Sequence, residues 1–105
     1  MSERMNKYKR KLKALAQCSP ERVRRMIRKG DDNFILAILD AVWTTLDGRV
    51  VKILSEQREK IRSVQSVLRR FASRGQSVEE RRQKLLTRKG IHAIQTVFEI
   101  LQTHF

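Results

Sequence analysis

Chain breakers constrain this sequence more than any other feature. Its 105 residues hold four glycines and one proline. Between these breakers, apolar residues recur at spacings of three and four, the period of a helix with one buried face. Two-residue alternation never extends beyond a few residues, so no strand is expected. Gly30, Gly48, Gly75 and Gly90 each follow a helical stretch, where a left-handed residue commonly ends a helix. Pro20 follows Ser19, a good N-cap, and takes the first helical position, where a missing N–H costs nothing. The expected fold class is all-α: a compact bundle of five or six short helices, one domain over residues 1–105.

The first helix is expected from about Arg4 to Gln17, with Met5, Tyr8, Leu12 and Leu15 in one stripe. The second, Pro20 to Lys29, buries Val23, Met26 and Ile27. Asp31 or Asp32 caps a third, which runs to about Asp47. Its Phe34–Leu39 run, followed by Ala41, Val42, Trp43 and Leu46, leaves almost no polar face. Such a helix is central in a core or buried in an interface. Arg49 to Leu54 reads as an extended apolar connector. Ser55 caps the fourth helix, which carries Ile61, Val64, Leu68 and Phe71 and ends at Arg74 and Gly75. The fifth opens on Ser77-Val78-Glu79-Glu80, the spacing of a capping box, and stops at Gly90. The sixth runs from Ile91 to about Thr103, with Ile94, Val97, Phe98 and Leu101 on one face. Tyr8, Phe34, Trp43, Phe71, Phe98 and Phe105 mostly fall in these stripes and are assigned to the core.

Charge is the second constraint. Lys and Arg number 24 and Asp and Glu 11, a formal net charge of +13. It is unevenly spread. The basic N-terminal helices, residues 1–29, hold eleven basic and two acidic side chains, a net of +9. The apolar central helix and connector, 30–57, hold two and five, a net of −3. The basic helical hairpin, 58–90, holds eleven and three, a net of +8. The C-terminal apolar helix, 91–105, holds only Glu99. Like charges without partners oppose compact folding, so a polyanion is the expected partner, nucleic acid first.

Arg24, Arg25, Arg28 and Lys29 form one group of candidate phosphate contacts. Arg69, Arg70, Arg74, Arg81 and Arg82 lie on either side of the Gly75 turn, and Arg88 and Lys89 follow. Arginine holds phosphate bidentately and stays charged at any accessible pH. If the hairpin packs on itself, Arg69-Arg70 and Arg81-Arg82 face one phosphate backbone. Stacking on single strands is disfavoured because the aromatics belong to the core. Contacts to the backbone of double-stranded DNA are the expected mode. For a helix in the major groove, the best-placed candidate is the one after Gly75, with Gln76, Glu79, Arg82 and Gln83. The plainer alternative is that the basic faces are merely solvated.

Catalytic and metal-binding patterns are thin. A lone cysteine, Cys18, excludes an internal disulfide, and two histidines beside it make a four-ligand zinc site improbable. His92 and His104 are twelve residues apart, more than three helical turns. Asp31-Asp32 reads as a cap. No Gly-rich phosphate loop or Ser/His/Asp pattern is present, so neither an enzyme nor a cofactor is expected. The longest apolar run is too short to cross a bilayer, and Met1–Lys13 has no apolar stretch that would make a secretory signal. A soluble intracellular protein is expected. The competing class is a protein-interaction or oligomerisation module. There the third helix, or the Ile94, Phe98 and Leu101 face, joins copies or binds another protein, and the basic faces serve an acidic partner or localisation.

The order of motifs then adds a resemblance. A basic start leads to Cys18-Ser19-Pro20-Glu21, then Asp31-Asp32 before the apolar helix, then Leu46-Asp47-Gly48-Arg49-Val50. A basic helix and Leu85-Leu86-Thr87-Arg88-Lys89-Gly90 follow. Over roughly residues 8 to 91 this resembles small basic proteins of Polinton-type (Maverick) DNA elements and the related adintoviruses, which have been likened to adenovirus core proteins. In that family the glycine precedes a longer Gly-rich hydrophobic tail, whereas here the sequence ends at His104-Phe105. The resemblance implies a virion-associated or genome-packaging protein that neutralises DNA, located in the nucleus or the virion.

Overall fold

A computed structural model describes residues 3–47, 55–73 and 75–102. Its helices are α1 (Glu3–Lys7), α2 (Lys9–Gln17), α3 (Pro20–Lys29), α4 (Asp32–Asp47), α5 (Ser55–Ala72), α6 (Val78–Leu85) and α7 (Arg88–Leu101). No strand occurs among the described residues. The all-α bundle is as expected, with seven helices among the described residues against the five or six expected. The connector expected at Arg49–Leu54 lies outside the described residues, as do Gly48 and Phe105.

The expected first helix bends at Tyr8, which separates α1 from α2. The Tyr8 hydroxyl donates to Asp31 Oδ1 at 3.1 Å, and its ring lies 5.8 Å from that of Phe34. The bend lets one basic segment serve two neighbours. α1 packs on α4 through Met5, while α2 packs on α7.

α4 is the axis of the bundle and touches α1, α5, α6 and α7. Asp31 is its N-cap: Phe34 N–H donates to Asp31 Oδ1 at 2.8 Å. Phe34, Ile35, Ala37, Ile38, Leu39, Ala41 and Val42 are buried. Trp43 departs from the expected core, being 53% exposed. α7 is the second core helix, and Ile94, Val97, Phe98 and Leu101 are fully buried. Apart from Trp43 and the half-buried Leu36 and Leu46, the apolar faces that suggested an interface between copies are covered within one chain. α5 buries Ile61, Val64, Leu68 and Phe71 at the expected spacing.

Two glycines do other work than expected. Gly30 is extended rather than left-handed, with φ −66° and ψ 148°. A Cβ there would collide with the Phe34 ring. Gly90 does not end a helix. α6 stops at Leu85, and Thr87 caps α7 by accepting from Gly90 N–H at 3.0 Å. A Cβ at Gly90 would press on the Lys84 and Leu85 carbonyls, so glycine allows the start of α7 to sit on the end of α6. Gly75 is left-handed, φ +83°, as expected.

Candidate nucleic-acid interface

The expected site residues divide by what surrounds them. Arg82 is the clearest correction. It is buried, 8% exposed, because its guanidinium closes the end of α3. One terminal nitrogen donates to the Ile27 carbonyl at 2.7 Å and to the Gly30 carbonyl at 2.6 Å. The other donates to Asp32 Oδ1 at 3.1 Å, and Nε donates to Glu79 Oε2 at 3.1 Å. The last carbonyls of a helix have no partner inside it, and arginine is a natural donor to them. Arg82 therefore joins α3, α4 and α6 and does not face solvent.

Arg81 is half-buried and donates to the Ser73 carbonyl at 3.2 Å. The pairs Arg69-Arg70 and Arg81-Arg82 do not form one phosphate-facing surface. Of the residues expected on a groove-entering α6, Arg82 is turned inward, while Glu79 and Gln83 are exposed. Gln76 donates to the Arg70 carbonyl at 2.8 Å and so caps α5. Glu79 accepts from Gln83 at 3.0 Å as well as from Arg82. The Gln83 amide and the Arg82 charge hold the Glu79 carboxyl below its ordinary pKa, the amide more strongly. Arg74 lies outside the described residues.

Several of the remaining cations line three clefts. Arg70, Lys84, Arg88 and Lys89 rim a cleft between α5, α6 and α7, with Val67, Phe71 and Thr87 completing its lining. Its volume is about 320 Å³, and its lining is mostly apolar. Arg88 also lines a second cleft between α3 and α7, with Arg24 and His92. The two clefts share Arg88, and their cations come from four helices. A third cleft, between α2, α3 and α4, is lined by Lys11, Arg22, Arg25 and Lys29, over Met26 and Phe34. Arg28 and Arg69 are exposed and line none of the three. Among the described residues, Arg24, Arg25, Arg28, Arg69, Arg70, Arg88 and Lys89 take part in no ion pair.

Lys11, Arg22 and Lys84 are the residues that sequence reasoning missed. Their only signal in the sequence is charge, and the clefts they share are made by packing between helices. No acid is among the residues that line these three clefts. Asp31 sits beside Tyr8, where the Phe34 N–H, then the Tyr8 hydroxyl and the Lys11 and Lys7 charges, lower its pKa. Burial, then the hydrogen bond and charge of Asp31, raise that of Tyr8.

Among the described residues, no three His, Cys, Asp or Glu side chains gather as a metal site would require. No helix there is long and apolar enough to cross a membrane. Comparison of the chain with family models, curated proteins and solved structures finds no match in any of the three.

Proposed function

We propose that this protein binds double-stranded DNA through its phosphate backbone and acts by neutralising it, not by catalysis. The observation that carries the reading is the set of cations around two clefts that share Arg88: Arg24 on one, and Arg70, Lys84 and Lys89 on the other. Its members come from four helices, and none is paired with an acid among the described residues. Holding like charges together without partners raises the energy of the free protein, and phosphates would relieve it. The overall dimensions, 33 × 26 × 26 Å, match about one helical turn of duplex. A genome-packaging role in a virus or mobile DNA element is the setting implied by the resemblance in sequence.

A salt titration tests the reading. Log affinity for unrelated duplexes should fall linearly with log salt, by about 0.9 per phosphate contact. Arg70→Ala and Arg88→Ala should each reduce that slope by about 1, equally across sequences. Weak binding to every duplex at low salt would overturn the reading.

A second reading, a protein-interaction or self-association module, is favoured by Trp43 alone, the large apolar side chain that α4 leaves exposed. Sedimentation of wild type and Trp43→Ser tests it. Self-association abolished by the substitution would support this reading, and a monomer mass for both chains would exclude self-association.

A further inference from the structure

We propose that α3 enters the major groove of B-form DNA while the clefts on its two flanks take phosphates from opposite strands. The inference rests on the duplex-binding reading and gives it a geometry. α3 is peripheral: it packs chiefly on α6 and α7 and buries Val23 and Ile27. Successive helical residues turn by about 100°, so its basic positions cannot all point one way. On the α7 side, Arg24 shares a cleft with Arg88. On the α2 side, Arg22 and Lys29 share a cleft with Lys11. Arg28 lines neither cleft, and Arg25 lines the α2-side cleft from the outer edge of the helix; both are exposed.

A protein lying against one strand needs cations on one side only. A groove has a strand on each wall, so an inserted helix is best held by cations along both flanks. The widths agree. A helix with its side chains is about 10–12 Å across, and the B-DNA major groove is about 12 Å wide. Ten residues of α3 rise about 15 Å, enough to follow about four base pairs. Arg25 and Arg28 carry the bidentate donors that suit guanine O6 and N7. Glu21, exposed on the first turn, suits a cytosine amino group. A-form RNA has a deep, narrow major groove that side chains cannot read, so the geometry selects DNA.

Dimethyl sulfate probing distinguishes the grooves, because it methylates guanine N7 in the major groove and adenine N3 in the minor groove. On a mixed-sequence DNA duplex saturated with the full chain at low salt, guanine N7 should be protected and adenine N3 should stay reactive. An RNA duplex of the same sequence should bind more weakly. Arg25→Ala and Arg28→Ala should each weaken DNA binding about tenfold. The double variant should bind without N7 protection, its helical circular dichroism unchanged. A saturated wild-type complex with reactive N7 positions would overturn groove insertion and leave backbone binding standing. Failure to bind any duplex at low salt would overturn both.

Discussion

α3 and α6 begin alike and end in different roles. Each follows a capping serine: Ser19 Oγ accepts from Arg22 N–H at 3.3 Å, and Ser77 Oγ from Glu80 N–H at 3.1 Å. Each has a glutamate in its first turn and a pair of adjacent arginines, Arg24-Arg25 and Arg81-Arg82. The difference is what the inner face meets. α3 lays Val23 and Ile27 against the bundle. α6 lays down Arg82 and Leu85, and beside Arg82 lie the carbonyls that end α3. A donor stands where an apolar anchor would otherwise be. Counting arginines along a helix therefore overstates the surface charge wherever the interior presents unpaired helix ends.

The largest expected effect tests that division directly. Arg82→Met keeps an unbranched side chain and removes the donors from two carbonyls. Stability should fall by about 3 kcal/mol, since leaving a buried acceptor unsatisfied costs about 1–3 kcal/mol. Arg25→Met should change stability by less than about 0.5 kcal/mol and weaken duplex binding instead. Urea melts and binding isotherms on both variants give the four numbers. If Arg25→Met costs as much stability as Arg82→Met, the contrast between the two helices is wrong.

The sequence held most of the fold. Apolar spacing marked the buried faces of α3, α5 and α7, and Ser19 and Ser77 were identifiable as caps because capping needs only a local side chain, while Asp31 and Asp32 were both open as the cap of α4 until the Phe34 N–H bond chose Asp31. What escaped was tertiary. Tyr8 bends the first helix through a bond to Asp31, 23 residues away. Gly90 looked like a terminator, but it is small because the carbonyls of Lys84 and Leu85 lie against it. Thr87, a capping type between Leu86 and Arg88, was the overlooked local signal for that break. In the candidate site, charge was legible and direction was not. Nothing in Arg81-Arg82 distinguishes it from Arg24-Arg25 until the end of α3 is placed beside it.

A smaller effect concerns the same junction from its other side. Asp31 caps α4 where α3 ends, and its carboxylate accepts from Phe34 N–H and from the Tyr8 hydroxyl. These bonds, the Phe34 N–H foremost, hold its pKa below the ordinary value of 3.8. Acid therefore protonates the unfolded chain first. The stabilisation is present above about pH 4 and is lost as pH falls through the lowered folded value. Asp31→Asn keeps a capping side chain but removes the charge. Wild type should exceed this variant in stability at pH 7, and the gap should close below about pH 4. The variant should still lose some stability in acid, because Glu79 is lowered too and carries the same sign. Tyr8 acts at the opposite limit: its raised pKa makes stability fall as pH rises above the ordinary value of 10.0. Melts of both chains between pH 7 and pH 3 decide the matter. A gap that stays constant over that range would assign the contribution of Asp31 to cap geometry alone, and the junction of α3 and α4 would then owe its charge compensation to Arg82.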